Sequence, residues 1–535
     1  IQNSNPIMFR LLLTAAALTT VSATLTPASL HRTSLPTSLT TTPTSANCHK
    51  NYIQQPLDHF GNSNHNNHHN HHHPTTFLQR YFWNDTYFTP NGPILYYTGN
   101  EADVTLYVNA TGLMWENAQE LGALLVFGEH RYYGETQPFP NAHPLTPSQL
   151  QYLTVEQSLA DHVALVNHIK ATVPGASRSK VVAIGGSYGG MQSSWIRMRY
   201  PRDIDGAIAG SAPILAFDGV SKASAKKAGP LSYWKIVTDD ATPAFGSSAP
   251  CASNIQRAWG IIDDLFATGV PGQQQLGSLL SMCSAPSTAT ELNALKTFLQ
   301  MAFDTMAMGN FPFPSSYLAS GVATLPAYPF RKACLHLNTT KDDDATLLKN
   351  LGKAASIYNN ATQNLQCYEL PADPDYDGIW DYMWCTDTLC QETYFGRNGV
   401  DDMFWPVEYN EKRIDQHCHS KYNVTPSYNN IARQFGGMAG VRNASNIVFS
   451  NGRFDPWRSG GVTSVNDTSR SLWSIVIPNG AHHVDLMFST KEDPVDVTAA
   501  RTFELNKIKE WVGWKEREEK RSAVPTPPTP PTPPT

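Results

Sequence analysis

Residues 181–191 read Val-Val-Ala-Ile-Gly-Gly-Ser-Tyr-Gly-Gly-Met, and no other stretch narrows the fold as much. Four apolar, mostly β-branched residues predict a buried strand, and a glycine-rich turn ends it. Met191, Trp195 and Met198 then fall on one face of a helix reaching Tyr200. A serine at a sharp strand-to-helix turn has its hydroxyl pushed clear of the sheet, provided that its neighbours two residues away lack bulk. Gly185 and Gly189 meet that requirement around Ser187. The same turn aims the backbone N–H of Tyr188 at an oxyanion developing beside the serine. An ordinary turn of a parallel sheet has similar composition, so the rest of the chain has to discriminate.

The chain has 535 residues, 41% of them hydrophobic, which allows a large core and more than one domain. A net charge of -6 argues against nucleic acid as the partner. No interior apolar run reaches the ~20 residues that a membrane span needs. Residue 1 is Ile, and Met8 is the expected start. The Arg10 charge, the apolar run 11–21 and the small residues that follow predict a signal peptide within residues 1–23. Eight cysteines and sequons at Asn84, Asn109, Asn338, Asn360, Asn423, Asn443 and Asn466 agree with export through the secretory pathway.

Composition then divides the chain. Residues 24–47 are a Ser/Thr/Pro-rich linker, and residues 516–535 a Pro/Thr-rich tail. Residues 62–73 hold six histidines among asparagines; without fixed ligand spacing they read as a low-complexity loop, and no metal or cofactor is expected. Strand patterns at 93–98, 123–127, 181–184 and 204–209 alternate with helical segments such as 155–170. This predicts an α/β fold with a mostly parallel sheet, helices on both faces, and ligands at the carboxyl ends of strands. From 217 to 430 no run of buried strands appears, and seven of the eight cysteines fall there. That segment is expected to be a helical, disulfide-stapled cap. It separates a first part of the sheet domain, 48–216, from a second, 431–515, in which strands return at 446–450 and 473–477.

A reactive serine needs a base and an acid to orient that base. In α/β-hydrolases these follow in the order serine, aspartate, histidine. After Ser187, Asp455 and His482 each lie just beyond a returning strand. His482 is then the base, and Asp455 fixes its tautomer and stabilises its charge. Each residue alone suits an ordinary loop. Their order behind the expected strands favours a triad.

The stretches 97–101 (Tyr-Thr-Gly-Asn-Glu), 129–135 (Glu-His-Arg-Tyr-Tyr-Gly-Glu), 154–157, 185–191, 449–452 with 455–457, and 480–483 (Gly-Ala-His-His) carry a further signal. Together they resemble the prolyl carboxypeptidase and dipeptidyl peptidase II family of serine peptidases, from about 51 to 514. The resemblance implies an α/β-hydrolase core with the cap inserted between serine and aspartate, and exopeptidase action beside proline. It selects His482 over His483. It implies the pairs Cys251–Cys334, Cys283–Cys367 and Cys385–Cys418, leaving Cys48 and Cys390 over. Gly99, at a strand end, joins Tyr188 as an oxyanion-hole candidate. A compact proline ring calls for a shallow apolar pocket, for which Met191 and Trp457 are candidates beside plain core roles. Asp373, in an acidic run of the cap, is a candidate amine anchor or a solvated loop residue. Arg453 departs from the family pattern and is expected near His482 beneath the cap.

The leading expectation is a Pro-Xaa carboxypeptidase acting on proline-containing peptides. A dipeptidyl peptidase releasing Xaa-Pro, an esterase or lipase on the same fold, and an inactive binding protein are the alternatives. Location is expected to be extracellular or lysosomal/vacuolar, with monomer and homodimer both open.

Overall fold

A computed structural model of the chain describes residues 42–61, 74–217, 232–370, 378–389, 397–407 and 410–514. The expected signal peptide, the expected linker up to 41, the histidine tract, Asp373, Cys390 and the Pro/Thr-rich residues at the end lie outside the described residues.

Among the described residues nine strands form one sheet in the order β1-β2-β4-β3-β5-β6-β7-β9-β8. They are β1 (His49–Pro56), β2 (Thr76–Asn84), β3 (Ile94–Thr98), β4 (Leu124–Gly128), β5 (Val181–Gly186), β6 (Gly206–Gly210), β7 (Ile447–Gly452), β8 (Asn466–Asp467) and β9 (Leu472–Ile477). The strands from β4 through β3, β5, β6 and β7 to β9 run parallel. β1, β2 and β8 pair antiparallel at the two edges, so the sheet is mixed. The edge hairpin β1–β2 has no counterpart in the hydrophobic pattern, because β1 is exposed along most of its length.

Every residue of β3, β4, β5, β6 and β7 is buried. Parallel strands covered on both faces produce such continuous apolar runs. Alternate residues serve opposite faces. Ile94 and Tyr96 join Val126, Ala183, Leu159 and Trp195 on one side. Leu95 and Tyr97 join Leu125, Val182, Ile208 and Ile508 on the other. Helices Val155–Thr172 and Tyr188–Arg199 thus cover the first face, and helices Gly112–Leu121 and Val495–Trp511 the second. Thr154 caps helix Val155–Thr172 by accepting from the Gln157 N–H at 3.2 Å.

Between β6 and β7 the described residues are mainly helical, from helix Tyr233–Asp240 to helix Gly437–Asn443. Disulfides Cys251–Cys334, Cys283–Cys367 and Cys385–Cys418 staple it, with Cα separations of 5.3, 5.0 and 5.7 Å. These are the pairs that the resemblance implied. Cys48 is half-buried outside this segment and forms no disulfide among the described residues.

One sequon is poorly placed for modification. Asn84 ends β2 and is 7% exposed, and its Nδ2 donates to the Asn47 carbonyl at 2.6 Å. The nitrogen that would carry a glycan is engaged and enclosed there. Asn109, Asn338, Asn423, Asn443 and Asn466 are exposed, and Asn360 is half-buried.

Candidate active site

Ser187 follows the last residue of β5 with φ 59° and ψ -127°, a conformation unfavourable for any residue with a side chain. The turn is held by close backbone approach. A Cβ on Gly185 would lie 2.3 Å from the Gly189 backbone, and one on Gly189 would lie 2.2 Å from Asn100 Oδ1. The residues two before and two after the serine must therefore be glycine, as the pattern predicted. Asn100 Nδ2 in turn donates to the Gly186 carbonyl at 2.7 Å, tying the end of β3 to the turn. Tyr188 opens helix Tyr188–Arg199, where the N–H has no intrahelical acceptor. Gly99 sits beside it at the end of β3, with its carbonyl taken by the Gln192 amide.

The other two expected residues meet next to this turn. Asp455 follows β7 and His482 follows β9. His482 Nδ1 lies 2.9 Å from Asp455 Oδ2, and the two residues are 3% and 0% exposed. The second Asp455 oxygen accepts from the Trp457 N–H at 3.1 Å. The His482 N–H donates to the Met308 carbonyl at 3.1 Å, which ties the histidine loop to the helical segment. His483 has a different environment. Its N–H donates to Ser211 Oγ at 2.8 Å, and its ring packs edge-on against Tyr317. Burial, with His482 alongside, holds the His483 imidazole well below the usual histidine range. Asp455 thus distinguishes the two histidines in favour of His482.

Ser187 and His482 line one cavity of about 130 Å³. Glu101, Tyr107, Tyr133 and Trp457 line it from the sheet side. Met308, Tyr317, Leu318, Ser320 and Trp380 line it from the helical side. An imidazole fixed through one nitrogen by a buried carboxylate can pass a proton through the other, beside a half-buried serine, under an aromatic wall.

Comparison with known proteins agrees. The sequence pattern of serine carboxypeptidase S28 matches residues 55–504. The chain is 39% identical over 490 residues to human "Lysosomal Pro-X carboxypeptidase", covering 90% of this chain and 92% of that protein. It is 32% identical over 486 residues to "Prolyl carboxy peptidase like protein 5" of Caenorhabditis elegans, covering 87% and 90%. The chain belongs to the serine carboxypeptidase S28 family. It is a serine-type exopeptidase.

In this S28 peptidase the 129–135 motif builds the support under the site. Glu129 pairs with Arg80, and burial nevertheless raises its carboxyl. Arg131 binds Asp161 through two nitrogens, at 2.6 and 2.8 Å. Burial opposes ionisation of Asp161, but Arg131 outweighs it and holds the carboxyl below its ordinary value. Burial pushes the His130 imidazole down to about 3, so this ring is neutral; its Nε2 lies 3.0 Å from the Tyr188 phenolic hydroxyl. Only Tyr133 of the motif reaches the cavity.

Two placements differ from expectation. Met191 is 4% exposed in the core and does not line the cavity; Met308, from the helical segment, does. Helix Tyr188–Arg199 is buried on nearly every side, so its periodicity could not tell which face meets the cleft. Arg453 is exposed and stacks over the Phe245 ring at 4.4 Å instead of lying beneath the cap. Trp457 lines the cavity, with its indole Nε1 3.0 Å from Met308 Sδ. Tyr107, Tyr317 and Trp380 were not singled out from the sequence, where no local pattern separates them from core aromatics. Glu101 ends the 97–101 motif, yet its spacing says nothing of a role. Among the described residues His417 lies beside Asp381 and Cys385, but Cys385 is in a disulfide and Lys421 occupies Asp381 at 2.7 Å, which is not a metal-ligand set.

Proposed function

We propose that the protein is a Pro-Xaa carboxypeptidase working through Ser187, His482 and Asp455. The observation that carries this reading is the 2.9 Å contact of His482 with buried Asp455, beside Ser187 in an aromatic-walled cavity. Ser187 Oγ attacks the prolyl carbonyl while His482 Nε2 takes its proton. The backbone donors at Tyr188 and around Gly99 face the oxyanion. Collapse of the tetrahedral intermediate breaks the C–N bond, and His482 returns the proton to the departing amine. Water then enters and attacks the acyl carbonyl while His482 takes its proton; His482 returns that proton to Ser187 Oγ as the acyl C–O bond breaks. Tyr107, Tyr317, Trp380 and Trp457 offer flat apolar surface to the proline ring. The 39% identity to a protein named for Pro-X cleavage favours this specificity over dipeptide release. The lysosomal names of the relatives support a lysosomal destination on the secretory route.

The test is a cleavage profile. N-terminally blocked peptides ending in Pro-Xaa should lose the last residue, and free Xaa-Pro amides should be poor substrates. Ser187→Ala should fold normally, lose fluorophosphonate labelling and lose several orders of magnitude in kcat. Preference for free-N-terminus Xaa-Pro amides would replace this reading by dipeptidyl peptidase action. Unchanged turnover in Ser187→Ala would remove the triad.

A further inference from the structure

The seam between the sheet and the helical segment carries a pair of arginines that the triad does not use. Arg453 follows β7, two residues before Asp455, and stands over the Phe245 ring at 4.4 Å. Arg331, on helix Pro329–Leu335 of the helical segment, stands 3.7 Å from the Tyr328 ring centre and 5.6 Å from that of Phe454. Phe245 and Phe454 are buried, with ring centres 5.5 Å apart, so the two cations share one aromatic floor. A guanidinium stacked on such a ring keeps its edge free to donate hydrogen bonds.

Both arginines are held from behind. Arg331 Nε donates to the Phe245 carbonyl at 2.8 Å, and a Cβ on Gly246 would lie 2.7 Å from that nitrogen. Glycine at 246 thus leaves the guanidinium its seat. The Arg453 N–H donates to the Ile477 carbonyl at 2.9 Å, and the Arg453 carbonyl accepts from Arg458 Nη2 at 3.3 Å. Half-buried Arg458 adds a third positive charge beneath the loop. The acids nearby do not cancel these charges. Asp239 pairs with Lys235, and Asp455 faces His482. Asp240 is fully buried, which holds its carboxyl well above the usual carboxylate range. Among the described residues neither Arg331 nor Arg453 has a carboxylate partner. Like charges gathered on one surface without a counterion repel, and an anion placed between them removes that cost.

We propose that Arg331 and Arg453 form a subsite for an acidic side chain of the peptide substrate, on the stretch that precedes the scissile prolyl bond. The inference rests on the Pro-Xaa carboxypeptidase reading, in which the acyl part of the peptide continues outward from Ser187. Trp457 lines the cavity four residues after Arg453, and four residues reach about 14 Å at most. An extended peptide covers that distance in a similar number of residues, so the acidic side chain stands within roughly four or five positions of the proline. There its carboxylate accepts charge-assisted hydrogen bonds from the guanidinium edges. Dipeptide release would leave such a subsite without use, because the acyl part then ends one residue before the proline. The subsite therefore adds a preference for longer, acidic peptides to the preference for proline.

The experiment uses N-blocked peptides ending in Pro-Xaa, in pairs that differ only by Glu or Gln at one position of the stretch before the proline. Active sites are counted by fluorophosphonate titration. At low ionic strength, and at the best position, kcat/KM of the parent for the Glu peptide should exceed that for its Gln partner about threefold to fivefold. The ratio should approach one in about 1 M salt, where the screening length is about 3 Å. Arg331→Gln and Arg453→Gln should each lower the ratio, and Arg453→Glu should bring it below one. Every ratio is taken within one protein, so any effect of Arg453 on the titration of His482 cancels. Arg453 is exposed, so its variants test the subsite even where loss of Arg331 disturbs folding. A ratio of one at every position in the parent, or a parent-like ratio in Arg453→Glu, makes the pair a solvated surface and overturns the subsite. Continued cleavage of the Gln peptides then leaves the carboxypeptidase reading intact. A parent that leaves blocked Pro-Xaa peptides uncut and releases Xaa-Pro from free N-termini overturns both.

Discussion

The sheet and the helical segment meet at one cavity and bring different things to it. Ser187, Asp455 and His482 all stand on loops at the carboxyl ends of β5, β7 and β9, which are neighbours in the parallel array apart from β6. The helical segment brings Met308, Tyr317, Leu318, Ser320 and Trp380, a wall rich in apolar area. The described disulfides all lie in the helical segment, none in the sheet. The sheet is held by continuous backbone pairing and a core buried on both faces. Short helices without such a ladder gain from covalent closure. The difference implies a division of labour: alterations on the sheet side act on kcat, and alterations on the helical side act on KM and stability.

The largest effect should come from the sheet. Asp455→Asn leaves the ring of His482 in place with the wrong tautomer, and kcat should fall roughly 10⁴-fold with folding intact. Asp485→Asn is the control, because Asp485 accepts from Ser450 at 2.6 Å and does not touch His482. A larger loss in Asp485→Asn, by steady-state kinetics on counted active sites, would break the comparison at its base.

Next in size is the loss of a staple. Cys385→Ser with Cys418→Ser opens a bridge of sequence separation 33 between helices Trp380–Thr386 and Glu411–Tyr422. Removing such a bridge should lower stability by about 2–5 kcal/mol in denaturant unfolding, with kcat on residual folded enzyme nearly unchanged. A fall in kcat without loss of stability would mean that the helical side takes part in the chemical step. Trp380→Ala sharpens the same point: we expect KM to rise about tenfold and kcat to stay within a few-fold, since the indole supplies contact area and no proton.

The two regions also differed in how far sequence could be read. The serine turn was legible because sterics at Gly185 and Gly189 leave one residue type. Asp455 and His482 were legible because two strands and a fixed order precede them. The hairpin β1–β2 was not, since Lys50, Tyr52 and Gln54 sit on an exposed edge where alternation carries little apolar signal. The cavity wall was not, because Tyr317 and Trp380 reach Ser187 only through the tertiary packing of the stapled segment. Met191 shows the limit of periodicity: a helix buried all round has no distinguished face.

The smallest effect asks whether the sheet half is itself uniform. On the β1–β4 flank, buried Asp161 has Arg131 against it. On the opposite flank, Glu504 of helix Val495–Trp511 is 0% exposed beside Asp485, also 0% exposed. Arg501, one turn away, donates to the Asp485, Val484 and Phe488 carbonyls and pairs with Asp493. Burial, and then Asp485, hold the Glu504 carboxyl well above the usual carboxylate range. A proton takes the place that arginine occupies on the other flank. The sign follows from linkage. Below the ordinary glutamate value both native and unfolded chains keep the proton, and the contribution to stability is whole. Above it the unfolded chain ionises while the native one does not, so stability falls with rising pH until the native group also ionises. One such group contributes a slope of at most about 1.4 kcal/mol per pH unit. Glu504→Gln cannot ionise in either state, so its stability should decline less between acid and neutral pH than the parent's. Denaturant unfolding at several pH values reads this directly. Parallel pH curves for the two proteins would mean that the proton on Glu504 contributes nothing and that the two flanks are balanced alike.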